Sequence, residues 1–194
     1  TRQGTRSEVV SDDSEMLILV DAEDREIGQL DKSACHDGDG VLHRAFSIFV
    51  FNPAGELLIQ QRAQDKRLWP NFWSNSCCSH PRIGESMDLA VKRRCQQELG
   101  FTTDFTFVYK FEYQARFKDI GTEHELCSVY VGTFDGEPEV NASEVRAWRW
   151  ITRDELTEAL SSSTDLYTPW FMLEWERLTD EFGTRLPETT QQGD

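Results

Sequence analysis

SHPRIGESMDLAVKRRCQQELG, residues 79–100, is the stretch that decides the fold. Ser86 can accept the free backbone N–H groups of a first helical turn, and Gly100 can take the left-handed position that ends one. A helix from just after Ser86 to about Leu99 follows. Glu85 stands eight residues before Arg93 and Glu98 five beyond it, while Arg94 and Glu98 are one turn apart on one face. By itself the pattern also fits an amphipathic surface helix with an ordinary ion pair.

Working outward, the flanks read mostly as strands. MLILV (16–20) is a first strand. AFSIFVFN (45–52), PAG (53–55) and ELLIQQR (56–62) read as two strands joined by turn residues in a hairpin. Phe105–Phe117 and Glu123–Phe134 are two long strands, and VRAWRWI (145–151) alternates. Thr152 with Glu155 forms a capping box for a helix through Leu160, and Thr168 before Pro169 opens a last helix. These elements predict one α/β (α+β) layered domain over residues 15–182. Residues 1–14 are expected to be a disordered acidic extension, and residues 183–194 a flexible tail.

Thirty-five Asp and Glu against 20 Lys and Arg leave a charge of −15 and a pI near 4.6. Such a field repels nucleic acid and anionic lipid, so neither is an expected partner. The acids are spread along the whole chain, as on a surface adapted to concentrated salt. No apolar run reaches the roughly 20 residues of a membrane span, and no signal-peptide core is evident. A cytoplasmic location is therefore expected. Five cysteines, an odd number without framework or CxxC spacing, read as free thiols in a reducing compartment.

Two further segments carry chemistry. WSNSCCSHP (73–81) sets Cys78 two residues before His80, and GTEHELC (121–127) sets Glu123 and Glu125 two apart. On a strand those two carboxylates share a face while His124 points away. Like charges so close call for a cation or a shared proton between them. His36 and His43 flank a turn-like DGDG loop (37–40), so three histidines and the Glu pair can converge on one divalent metal.

The helix resembles a Nudix box. The matching positions are Ser79, Glu85, Arg93, Arg94, Cys95, Gln97, Glu98 and Gly100. Ser79 replaces its glycine, and Arg94 and Gln97 replace two of its glutamates. The resemblance implies a Nudix-type mixed sheet flanked by helices, with a diphosphate that is bound but not cut. The spacing His36…His43, Cys78-x-His80, Glu123-x-Glu125 and TPW (168–170) is also similar to the type I isopentenyl-diphosphate isomerases, from about Met16 to Phe182.

That second resemblance implies isomerisation of isopentenyl diphosphate to dimethylallyl diphosphate. Cys78 and Glu125 would be acid and base on opposite faces of the alkene, with Tyr113 assisting Glu125. The Trp170 ring would face the developing cation. His36, His43, His80, Glu123 and Glu125 would hold one divalent ion. Manganese, zinc or iron suits three imidazoles better than magnesium, which prefers oxygen. Glu98 would hold a second ion, magnesium, with the substrate diphosphate. Lys32, Arg62, Lys66 and Arg94 would contact that diphosphate, and a monomer or weak dimer is expected. A Nudix hydrolase and a non-catalytic Nudix-like module are the alternatives. The lost glutamates and the Cys-x-His element count against the first. The full ligand set counts against the second.

Overall fold

A computed structural model describes residues 1–189, which form a mixed nine-stranded sheet with helices against both faces. The strands are β1 (Met16–Val20), β2 (Glu26–Asp31), β3 (His43–Phe51), β4 (Leu57–Arg62), β5 (Trp73–Ser74), β6 (Cys77–Ser79), β7 (Phe105–Phe117), β8 (Gly121–Thr133) and β9 (Val145–Ile151). The helices are α1 (Lys32–Cys35), α2 (Met87–Leu99), α3 (Arg153–Ser162) and α4 (Pro169–Phe182). The layered single-domain arrangement expected from the sequence is the one observed.

β3 organises the sheet. It runs parallel to β8 from His43↔Glu125 to Phe51↔Thr133 and antiparallel to β6 through Ser47↔Cys78. β7 folds back on β8 along most of its length. The expected hairpin between β3 and β4 shrinks to the single pair Phe51↔Leu57. β8 and β6 already take the edges of β3, so β4 pairs instead with β9 from Leu57↔Ile151 to Arg62↔Val145.

Period-two alternation divides β3 between two apolar layers. Phe46, Ile48 and Val50 pack with Ala90, Val91, Cys95 and Leu99 of α2. Phe49 and Phe51 pack with Trp170, Phe171, Trp175 and Leu178 of α4. Ser86 caps α2 as expected, its hydroxyl accepting Leu89 N–H at 3.3 Å, which is worth about 1 kcal/mol. Gly100 ends the helix at φ +77, where a Cβ would sit 2.5 Å from the Glu139 carbonyl. Thr152 caps α3 as expected, accepting Glu155 N–H at 3.2 Å, but the Glu155 carboxylate takes the Thr152 hydroxyl at 3.0 Å instead of completing a capping box. Thr168 does not cap α4; its buried hydroxyl meets Ser74 at 2.9 Å.

Both chain ends make contacts with the body of the domain. Arg2 bridges to Trp148, Asn141 donates to the Glu8 carbonyl at 2.6 Å, and Arg94 donates to Val10 at 3.2 Å and Ser11 at 2.8 Å. Partly buried donors on the body thus fix a polar segment that has no apolar core of its own. Past α4, Gly183–Arg185 form a 3-10 turn and Leu186 is buried. The rest of the expected tail, 190–194, lies outside the described residues.

Candidate active site

The parallel register of β3 and β8 sets His43 beside Glu125. Alternation along β8 turns Glu123, Glu125 and Cys127 to one face. His124 points away as expected and meets Glu112 at 2.8 Å. His36 ends α1, and its carbonyl accepts Thr122 N–H at 2.9 Å. That approach requires Gly121, because a Cβ there would lie 2.6 Å from the His36 oxygen. His80 follows β6. One potential ligand atom from each of His36, His43, His80 and Glu123 lies within 4.8 Å of the others. Glu125, the fifth expected ligand, lies outside this four-residue group, with Glu123 and Tyr113 as polar neighbours.

Two ring nitrogens bear on what the cluster could hold. His43 Nδ1 donates to the Val41 carbonyl at 2.7 Å, leaving Nε2 with a bare lone pair. That Nε2, and the Nε2 of His80, are buried without a hydrogen-bond partner. Burial pulls His43 down to about 4 and His80 well below its ordinary value, so both imidazoles stay neutral. Orphaned buried acceptors are costly unless something occupies them. Neutral imidazole nitrogens beside a carboxylate are the donors a divalent transition metal takes.

The two glutamates behave differently. Burial and the neighbouring Glu123 push Glu125 well above the carboxylate range, and Tyr113 only partly opposes this. Glu123 is equally enclosed, but His36, 3.0 Å away, holds it down. Without a cation between them, the pair therefore favours holding one proton. Burial also raises the Cys78 thiol, with Arg62 opposing it.

Cys78, Glu125, Trp170, His80 and Glu123 line one narrow cavity of about 50 Å³. Lys32, Arg62, Lys66 and Arg94, the four expected diphosphate contacts, line it too. Lys32, Arg62 and Lys66 also border an outer cleft of about 500 Å³, whose rim includes Ser11 and Asp12. Tyr113 packs behind, its ring 6.1 Å from Trp170.

Glu98 is more committed than the sequence suggests. Its carboxylate takes Arg94 Nε at 2.7 Å, Cys77 Sγ at 3.3 Å and Gln60 Nε2 at 3.3 Å. Several site-forming residues escaped sequence reading. Glu144, almost fully buried, pairs with both Lys66 and Arg94. Burial works against its charge, but those cations hold its pKa at about 2. Arg67 ties Ser33, Asp37 and Ile120 together around the His36 loop. Glu174 reaches from α4 to Ser47, which donates to it at 3.1 Å. Neither Glu144 nor Glu174 stands in a recognisable motif, so no sequence signal marked them.

Comparison with known proteins fits this geometry. Residues 41–171 match the NUDIX domain family model. The chain is 45% identical over 163 residues to isopentenyl-diphosphate Delta-isomerase 1 of Photorhabdus laumondii, covering 83% of this chain and 93% of that one. It is 46% identical over 158 residues to the isopentenyl-diphosphate Delta-isomerase of Serratia proteamaculans, covering 81% and 88%. Among solved structures, a Deinococcus radiodurans protein superposes with a TM-score of 0.70 at 22% identity, over 84% of this chain and 98% of its own. A MutT protein of Methanosarcina mazei gives 0.59 at 16%, over 72% and 94%. At those identities the two structures speak for the fold alone.

Proposed function

We infer the chemistry from the premise that this chain belongs to the isopentenyl-diphosphate Delta-isomerases of the NUDIX family. The chain is an isomerase that interconverts isopentenyl and dimethylallyl diphosphate. The observation that carries the mechanism is the shared cavity in which Cys78, Glu125 and Trp170 meet four cationic side chains. It joins an apolar, proton-active end to an anion-binding end within one small space.

The reaction needs one proton delivered to the terminal CH₂ of the alkene and one removed from the carbon on the other side. The π pair becomes the new C–H bond, and the broken C–H bond supplies the new double bond. Glu125 suits the donor, because burial and Glu123 favour its protonated form against the pull of a bound cation, and Tyr113 orients it. Cys78 on the opposite face is the acceptor in its thiolate form, which Arg62 favours against burial. The Trp170 ring faces the carbon where positive charge develops, an attraction of about 2 kcal/mol in a dry site. Water would capture that cation, and the narrowness of the cavity limits its entry.

His36, His43, His80, Glu123 and Glu125 would hold a divalent ion, with manganese, zinc or iron favoured by the imidazole donors. When bound, the ion would supply fixed positive charge that orients the Glu125 carboxyl. Lys32, Arg62, Lys66 and Arg94 would neutralise the diphosphate. Magnesium entering with it would meet Glu98 only if Arg94 turns from Glu98 towards phosphate. Five unpaired thiols suit a reducing, cytoplasmic setting. Among the described residues no helix is long and apolar enough to cross a membrane.

The test is product analysis after incubation with isopentenyl diphosphate and Mn²⁺ or Zn²⁺. Dimethylallyl diphosphate without phosphate release supports the reading. Inorganic phosphate as the sole product would replace it with hydrolysis.

A further inference from the structure

The turn Leu68–Asn71 contains a backbone anomaly at the back of the site. Trp69 has φ +48 and Asn71 φ +65, both in the left-handed region. A bulky aromatic residue is disfavoured there, and the following Pro70 restricts the same residue further. Such a conformation persists only when surrounding contacts impose it. Trp69 is only 4% exposed and does not line the cavity, so it is placed to act through its neighbours.

Those neighbours belong to the two ends of the site. The Trp69 ring meets Trp170 edge-on, with centroids 5.2 Å apart at 89°, and is braced from behind by Phe117 at 5.1 Å. The Trp69 carbonyl accepts Arg62 Nε at 3.2 Å. The adjacent Leu68 carbonyl takes Arg62 Nη2 at 2.9 Å. Asn71 closes the turn, its N–H donating to the Arg62 carbonyl at 3.2 Å. Held in this way, the Arg62 guanidinium carbon lies 5.4 Å from the Trp170 ring centroid.

We propose that Trp69 is a positioning residue that couples the two ends of the active site. Its ring sets the tilt of Trp170 at the alkene, and its left-handed backbone aims carbonyls that orient Arg62 at the diphosphate. The inference rests on the roles given above to Trp170 and Arg62. An edge-on ring fixes a neighbouring ring face more tightly than an aliphatic wall does. Relaxing the turn would release the guanidinium at the same time, so one side chain controls both turnover and substrate capture.

A double-mutant cycle on the Mn²⁺-loaded enzyme tests this, with kcat, KM for isopentenyl diphosphate and Tm measured for Trp69→Leu, Trp69→Phe, Trp170→Phe and the combinations. Trp69→Leu is expected to lower kcat by about 10- to 100-fold through misplacement alone. It should also raise KM several-fold, whereas Trp69→Phe restores most of both. Combined with Trp170→Phe, it should cost less than about 2-fold beyond Trp170→Phe alone. If Trp69→Leu is not recovered folded, the same cycle with Trp69→Met, which also lacks a ring, decides. A merely structural role would lower Tm and the active fraction while leaving KM and the coupling unmoved, and that result overturns the proposal. So does multiplication of the two kcat losses. An unimpaired Trp170→Phe would instead fault the role of Trp170, and a wild type that forms no allylic isomer would fault the reaction assigned.

Discussion

Cys77 and Cys78 are consecutive yet serve opposite faces of the sheet. The Cys77 thiol lies 3.3 Å from Glu98 under α2, and Cys78 lines the cavity with Trp170. Strand alternation in β6 separates a packing thiol from the one proposed to react. Cys77→Ala is therefore expected to lose about 1–2 kcal/mol of stability, as for other small buried truncations, with kcat changed only a few-fold. Urea unfolding beside steady-state assay checks both.

The orphaned His43 and His80 nitrogens predict a response to metal. Added Mn²⁺ or Zn²⁺ at 100 times its Kd should stabilise the protein by about 2.7 kcal/mol. EDTA should reverse the gain, and His80→Ala should remove most of it. Thermal unfolding with and without metal reads the effect. A wild type that is indifferent to every divalent ion would contradict the assignment.

Glu174 sets a pH dependence of stability. Burial raises it from 4.5 to about 8, with Ser47 and Cys127 only partly opposing. A raised folded pKa means stability is full below 4.5 and falls as pH rises towards 8, because the unfolded chain ionises first. Glu174→Gln keeps the acceptor for Ser47 without this penalty. It should match wild type near pH 4.5 and be more stable by several kcal/mol at pH 8, given about 1.4 kcal/mol per pKa unit. Denaturant titrations at the two pH values test it.

Glu144 acts in the opposite sense. Its folded pKa near 2 lies below the ordinary 4.5, so its contribution is present above 4.5 and lost as pH falls towards 2. Removing it leaves Lys66 and Arg94 short of a buried partner. Glu144→Ala should cost about 3 kcal/mol at pH 7, with a much smaller cost at pH 2. A large gap in unfolding free energy at pH 7 that shrinks greatly by pH 2 is the expected outcome.

A surface carrying −15 predicts salt dependence. Raising KCl from 0.1 to 2 M should increase unfolding free energy by screening repulsion among the exposed acids. Stability falling steadily with KCl would contradict the reading of an adapted surface.

Much of this architecture was legible in the sequence because local rules and packing agree. The limits of β1 and α2 coincide with a buried apolar run and with capping residues at both ends of the helix. The meeting of His36, His43, His80 and Glu123 was legible because the residues stand in short spaced pairs. What could not be read depends on partners distant in the chain. β4 follows β3 directly, yet pairs with β9, about 90 residues on, because the edges of β3 are taken. Glu144, Glu174 and Trp69 look ordinary in sequence and gain meaning only from Arg94, Ser47 and Trp170. The contacts of the N-terminal segment with Arg94 and Asn141 were illegible for the same reason.

The central claim is that Cys78 and Glu125 move protons across one alkene, and isomerisation of isopentenyl diphosphate in D₂O tests it most directly. Wild type with Mn²⁺ should yield deuterated dimethylallyl diphosphate, while Cys78→Ala incorporates almost none, although it folds and binds metal as wild type does. Equal deuterium incorporation by the two proteins would contradict the account.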